Sequence, residues 1–187
     1  MSATEMPFPA IQRTVVIGNS GSGKSTLAAR LAALADVPAI DLDALHWEGS
    51  GYGAKREEAV ARELVRDAAA ASRWVIEGVY GWLAEVALPR ATALIWLDLH
   101  WSVCREALLA RGQRRGGTEA DFAKLMAWAE AHWTRHSHSS FAGHLRLFDD
   151  FGGIKRRLRD RQEVDEFMAQ VHAGQVEQRR GFIPRQR

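Results

Sequence analysis

The chain holds one cysteine, Cys104, which rules out an internal disulfide and a cysteine-based zinc site. Neither sign of charge dominates. The 25 Lys and Arg against 23 Asp and Glu leave +2, too near balance to mark a nucleic-acid binder by itself. Lysine is scarce, Lys24 being one of only four, so positive charge rests mainly on arginine. Arginine favours planar, bidentate contacts of the kind that phosphate oxygens accept. No apolar run approaches the ~18 residues of a membrane span. The opening Met1-Ser2-Ala3-Thr4-Glu5 lacks the basic and apolar regions of an export signal. These absences predict a soluble, cytoplasmic chain. With 187 residues and 47% hydrophobic content, it fits one domain with a sizeable core.

What is present is concentrated near the start. Gly18-Asn19-Ser20-Gly21-Ser22-Gly23-Lys24-Ser25 fills the pattern G-x-x-x-x-G-K-[ST]. A β-branched stretch, Thr14-Val15-Val16-Ile17, precedes it. After it, from Thr26 to Ala35, come strong helix formers with apolar residues at helical spacing. Strand, glycine loop and helix together form the context in which this pattern binds the phosphates of a nucleoside triphosphate. Glycines let successive backbone N–H groups face one concavity, and the helix adds free donors and a positive dipole end. Lys24 is expected to reach the β- and γ-phosphates, Ser25 to offer its hydroxyl to Mg²⁺, and Thr26 to meet the α-phosphate. Gly18, Ser20, Gly21, Ser22 and Gly23 complete the ATP site.

Further along, strands and helices alternate. Strands are expected at about 13–18, 39–42, 74–78, 91–98 and 154–158. Helices are expected at about 24–35, 55–71, 81–87, 102–111, 119–136, 139–150 and 162–172. Residues 43–54 read as a loop and 174–187 as a frayed, arginine-rich tail. The pattern predicts a single α/β domain over 1–187, a parallel sheet between helical layers, with a helical lid insertion at about 112–150. A monomer or a homodimer is equally compatible.

Four constellations lie beyond the glycine loop. In Asp41-Leu42-Asp43, strand alternation puts both carboxylates on one side, near the strand end where open α/β sheets bind ligands. Asp43 either bonds an acceptor hydroxyl or takes its proton, or is a strand-end turn residue; Trp47 is placed against the same substrate. Glu77 and Gly78 close the third strand, and Glu77 contacts the acceptor or a metal-bound water, or is a solvated turn carboxylate. Asp98 either stands near the bound magnesium or caps the following helix. Arg105, Arg111, Arg114 and Arg115 lie beside glycines at 112, 116 and 117, a composition suited to a flap that closes over a transferring phosphoryl group.

Weaker signals have plain readings. His132 and His136, four apart on an expected helix with His138 nearby, form no recognisable ligand set for a metal. Lys155-Arg156-Arg157, Arg159 and Arg161 lie on or after an expected edge strand, solvated or next to a nucleotide.

Residues Gly18 to Thr26, Leu42-Asp43-Ala44-Leu45-His46-Trp47, Arg73 to Tyr80 and Leu97-Asp98 follow one another as in a known group. They resemble the adenylate-kinase-related proteins often labelled DNA topology modulation proteins, over about residues 13–172. The resemblance implies a P-loop kinase of the nucleoside-monophosphate type, with five parallel strands in the order 2-3-1-4-5. One departure stands out. Adenylate kinases follow the third strand with D-G-F-P-R, whose arginine grips the monophosphate, whereas this chain has Glu77-Gly78-Val79-Tyr80-Gly81. Arg56, Arg62 or Arg66 are candidates to replace that arginine. The sequence thus predicts a Mg²⁺-dependent phosphotransferase using ATP, with a nucleotide or small hydroxylated molecule as acceptor. The alternative is a nucleotide-dependent regulator or DNA-associated NTPase.

Overall fold

The structure, a computed structural model, describes residues 11–49, 54–113 and 117–181. Arg114, Arg115 and the loop glycines 51, 53 and 116 lie outside the described residues. The elements run β1 (Arg13–Gly18), α1 (Lys24–Ala35), β2 (Ala39–Asp41), α2 (Leu42–His46), α3 (Glu58–Ala70), β3 (Trp74–Gly78) and α4 (Gly81–Ala87). They continue with β4 (Ala93–Leu97), α5 (Trp101–Arg111), α6 (Glu119–Glu130), α7 (Phe141–Asp150), β5 (Ile154–Leu158) and α8 (Arg161–Gly181). All strands pair in parallel, in the order β2-β3-β1-β4-β5.

The central strands are apolar at nearly every position because both faces of the sheet are covered. On one face Val16, Val75, Ile95 and Leu97 pack with Leu31 of α1 and with Phe167 and Val171 of α8. On the other, Val15, Ile17, Ile76, Leu94 and Trp96 pack with Val65 of α3, Leu83 of α4 and Leu147 of α7. Side chains alternate across the pleat, so neighbouring valines of β1 belong to opposite layers. Among the described residues no helix is long and apolar enough to cross a membrane.

Four local expectations are corrected. The chain does not enter a loop at residue 43: Asp41 accepts a hydrogen bond from the N–H of Asp43 at 2.8 Å and starts α2, which runs to His46. Asp41 and Asp43 are therefore related by a helix cap, not by strand alternation. α6 stops at Glu130, so His132 and His136 do not share a helix. Of the segment expected as a lid, α7 lies on the sheet, with Leu147 in the core, and the buried Ala129 at the end of α6 ties that helix to Asn19 of the glycine loop. α8 continues to Gly181 where fraying was expected from 174, and Gln175 donates to the carbonyl of Leu34.

Candidate active site

β1 delivers the chain into the glycine loop at the carboxyl end of the sheet. Gly21, with φ 80°, passes so close to α5 that a Cβ there would sit 2.3 Å from the carbonyl oxygen of Cys104. Gly23, with φ 93°, is the N-cap of α1, and a Cβ would sit 2.7 Å from Nη1 of Arg161. Both positions therefore require glycine. α1 starts with no side-chain cap and no acidic residue in its first turn. Its leading N–H groups and dipole are left for an anion. Ser25 and Thr26 are exposed there, and Lys24 is half-buried.

The loop is braced from three directions. Its own Ser22 N–H donates to the Asn19 carbonyl at 3.2 Å. The buried Asn19 side chain accepts from the N–H of Ser20 at 2.8 Å and donates to the carbonyl of Ala129, near the end of α6, at 2.8 Å. Arg161, opening α8, donates to the carbonyl of Ser22 at 2.8 Å. Beside the loop is a cavity of about 490 Å³ whose lining includes Gly21, Lys24, Ser25, Arg111, Arg161 and Asp165. That volume suits a nucleotide. Arg111, the last residue of α5, thus faces the same space as Lys24. Arg105 is exposed on α5.

The residues expected on the acceptor side gather at the ends of β2 and β3. Glu77 is paired in register with Val16 of β1 and Asp41 of β2 and is 4% exposed. Burial raises its pKa, against the pull of the Lys24 ammonium and a hydrogen bond from Ser25, while Asp41 and Asp43 push it further up. One carboxylate oxygen, Oε2, is buried with no protein partner. Lys24, Ser25, Asp41, Asp43 and Glu77 therefore form one electrostatic unit. Gly78 has a packing reason: a Cβ would meet Leu42 of α2 at 2.6 Å. Trp47 caps the end of α2 and forms an antiparallel bridge with Lys55.

Asp98 follows Leu97, which is paired in register with Gly18 at the start of the glycine loop. Its Oδ2 accepts from Nε and Nη2 of Arg157 at 2.9 and 2.7 Å, tying β4 to β5, and the guanidinium lies 4.2 Å over the Trp96 ring. It caps no helix: the residue capping α5 is His100. Among the described residues no three His, Cys, Asp or Glu side chains are grouped to hold a metal ion.

Two features lay outside the sequence-based site. Arg161 was one residue in a basic run, with nothing local to set it apart. The second is a pair of buried histidines, His132 and His144, with ring centroids 5.2 Å apart. His144 Nε2 bonds the Val79 carbonyl at 2.9 Å. Burial pushes the pKa of His132 down to about 3 and that of His144 to about 4, with Lys24 and Arg135 adding in the same direction. Both rings are neutral at physiological pH.

No protein-family model matches the chain, and no curated protein matches it. Solved structures do. An unliganded sugar kinase from Janibacter sp. HTCC2649 aligns over 86% of this chain and 91% of its own, at TM-score 0.52 and 18% identity. A gluconokinase from Sinorhizobium meliloti 1021 aligns over 94% and 97%, at TM-score 0.46 and 21% identity. Shikimate kinase from Bacteroides thetaiotaomicron aligns over 86% and 96%, at TM-score 0.47 and 20% identity. At such identities the likeness is one of fold. A parallel sheet in the order 2-3-1-4-5 with helices on both faces is the P-loop kinase fold. None of the three draws the finer resemblance to the DNA topology modulation group.

Proposed function

We propose that this P-loop-kinase-fold chain is an ATP- and Mg²⁺-dependent phosphotransferase, adenylate-kinase-like in its layout, acting on a nucleotide or a small hydroxylated acceptor. One observation carries the reading. The uncapped start of α1 and the half-buried Lys24 adjoin a cavity of about 490 Å³ on one side and the buried Glu77 carboxylate on the other. A donor site and an acceptor site therefore meet at one ammonium group.

The N–H groups of Gly21, Gly23, Lys24 and Ser25 and the Lys24 ammonium would bind the polyphosphate, those of Ser20 and Ser22 being held by Asn19, with Arg111 and Arg161 along the nucleotide-side wall. Ser25 would hold Mg²⁺; its exposed hydroxyl beside Glu77 fits an octahedral ion that keeps most of its waters. When bound, the ion neutralises phosphate charge. Asp98, the other residue proposed for the metal, holds Arg157 through Oδ2 and would offer Oδ1 to the ion or its waters. Asp43 would orient the acceptor oxygen and take its proton, while Glu77, Gly78 and Trp47 shape the acceptor side. Arg111, Arg114 and Arg115 would close over the transferring group and exclude water. Little covalent help is needed, since positioning and charge neutralisation supply most of the catalysis.

The DNA-associated reading draws no support from the basic run. Lys155 is bonded to the carbonyls of Phe148 and Asp149, Arg157 to Asp98, and Arg161 to Ser22. Calorimetry with MgATP and its turnover with candidate acceptors test the proposal. Lys24→Ala should abolish transfer and keep the fold, and unchanged turnover in that variant would defeat the assignment. Arg114→Ala should lower turnover far more than ATP affinity.

A further inference from the structure

The pattern G-x-x-x-x-G-K-[ST] leaves its second position open to any residue, yet here both halves of the Asn19 amide are used. Oδ1 accepts from the N–H of Ser20 at 2.8 Å, and Nδ2 donates to the carbonyl of Ala129, 110 positions away, at 2.8 Å. Asn19 is 2% exposed and Ala129 fully buried, so water competes for neither bond. The position needs an acceptor and a donor on one short planar group. Aspartate lacks the donor, and serine or threonine lacks the reach.

Ala129 lies in the last turn of α6, and α6 is one arm of a helical hairpin packed against α5. At one end Trp101, the first residue of α5, donates from Nε1 to Glu130, the last of α6, at 3.2 Å. At the other end Arg111, the last residue of α5, shares one small pocket with Thr118, Asp121 and Phe122 around the start of α6. The two arms therefore run antiparallel. The hairpin meets the glycine loop twice: α5 where the Cys104 carbonyl crowds Gly21, and α6 where Ala129 takes the Asn19 amide. The first contact is packing, and the second is a directional bond. Arg111, at the tip, lines the nucleotide cavity with Lys24. The 12 residues of α6 span about 18 Å, so a tilt of about 10° at its base moves the far end by about 3 Å. A misplacement of about 1 Å at a reacting centre can cost about a hundredfold in rate.

We propose that Asn19 is a positioning residue: through its amide, phosphate bound in the glycine loop fixes the seating of the α5–α6 hairpin and with it the place of Arg111. The inference rests on the kinase reading and adds a coupling between two parts of that site. Phosphate oxygens take the N–H groups of Gly21, Gly23, Lys24 and Ser25 and stiffen the loop. The Ser20 N–H stays turned onto Asn19, so the stiffening passes to Ala129. Asn19 acts through these two neighbours and not on the substrate. Such coupling is reciprocal, because whatever the nucleotide lends to the seated hairpin, the seated hairpin returns. The structure has the hairpin seated, so the unseated form is a minor one. Decoupling then leaves nucleotide affinity almost unchanged, while amide exchange, which reports the minor form, responds in full.

Hydrogen exchange of the α6 amides in the full chain, with and without MgATP, is the test. In the wild type MgATP should slow exchange through the last two turns of α6 by about fivefold or more. In Asn19→Ala that ratio should fall to within about twofold of unity, with the MgATP Kd from calorimetry within about threefold of wild type. Asn19→Ser keeps a hydroxyl beside the Ser20 N–H but cannot span to Ala129. It should behave alike, and it carries the test if the alanine variant fails to fold. A bond that only stabilised the fold would instead speed exchange equally in both states and keep the ratio. Thr118→Ala, which breaks the capping box at the far end of α6, should do that. The inference is overturned if the Asn19 variants keep the wild-type ratio or if Thr118→Ala loses it. Binding of MgATP to the wild type without slower exchange in α6 would overturn it as well. Failure of the wild type to bind MgATP at all would remove the kinase reading and this inference with it.

Discussion

The guanidinium of Arg161 donates through Nη1 to the carbonyl oxygen of Ser22 at 2.8 Å, clamping the start of the last helix onto the middle of the glycine loop. The loop's donors converge only if its carbonyls point away, and a charged donor on one of those carbonyls holds that orientation. Hydrogen bonds to charged groups are worth about 1.5–3 kcal/mol net, enough to matter for a loop that must be preorganised. Arg161→Ala should therefore weaken MgATP binding by roughly tenfold. The same guanidinium lines the cavity, so Arg161→Lys should recover only part, because an ammonium keeps the charge but loses the planar fork. Calorimetry on the two variants checks this, and an unchanged Kd in Arg161→Ala would remove the clamp from the binding account.

The histidine pair gives the fold an acid limit. His132 and His144 have folded pKa values of about 3 and about 4, against 6.5 for an unperturbed histidine. Below pH 6.5 the unfolded chain binds protons that the folded chain refuses, so the stability these two rings contribute is present above that pH and falls as pH drops toward 4. Each is expected to contribute about 2 kcal/mol of destabilisation by pH 5. Urea unfolding at pH 7 and pH 5 should show this loss, and His132→Leu should halve the dependence. A pH response equal in wild type and variant would contradict the buried, neutral placement.

Glu77 titrates with the opposite sign. Its folded pKa is raised by burial above the ordinary 4.5, so its carboxylate opposes folding once ionised. The stability of the protonated form is complete below that ordinary value and is lost as pH rises through the raised one. Glu77→Gln should raise the thermal midpoint of the nucleotide-free protein at pH 7 to 8, with the gain shrinking on acidification toward pH 4. The same variant should lose at least about tenfold in kcat if the carboxylate serves the reaction. A site that sacrifices stability for chemistry predicts both effects together. Loss of stability at pH 7 would instead make Glu77 a structural carboxylate.

Legibility in the sequence followed the range of the interactions. The strand, glycine loop and helix at the start could be read because glycine spacing, the preceding β-branched strand and the following helix lie within about twenty contiguous residues. β5 and the parallel order also followed from alternation and the resemblance. The segment after Asp41 was misread because Asp-x-Asp fits both strand alternation and a side-chain cap two residues on, and the cap won. Arg161 meets Ser22 across 139 positions, and Arg157 meets Asp98 across 59. No local pattern separates those arginines from a solvated basic run. His132 is similar: its burial depends on α6 ending at Glu130, which lets the chain turn back toward His144.

The pairing of Asp98 with Arg157 offers a direct measure of what Asp98 is for. Its side chain is 12% exposed and that of Arg157 24%, so water screens the pair little. The aromatic rings of Trp96 and Phe141, 4.2 and 5.5 Å from the guanidinium, fix its position. Removing one partner leaves the other charge poorly solvated, a loss of about 1–3 kcal/mol for each single variant. Asp98→Asn and Arg157→Gln should thus each destabilise the fold, and the double variant should lose less than their sum, with a coupling of about 1 kcal/mol or more. A strut joining β4 to β5 predicts that MgATP binding survives in all three. A carboxylate that also serves the metal predicts that Asp98→Asn alone raises the magnesium concentration required for turnover, an effect Arg157→Gln would not share. Chemical denaturation and magnesium titration of the four proteins separate the two roles, because only the first depends on the arginine being there.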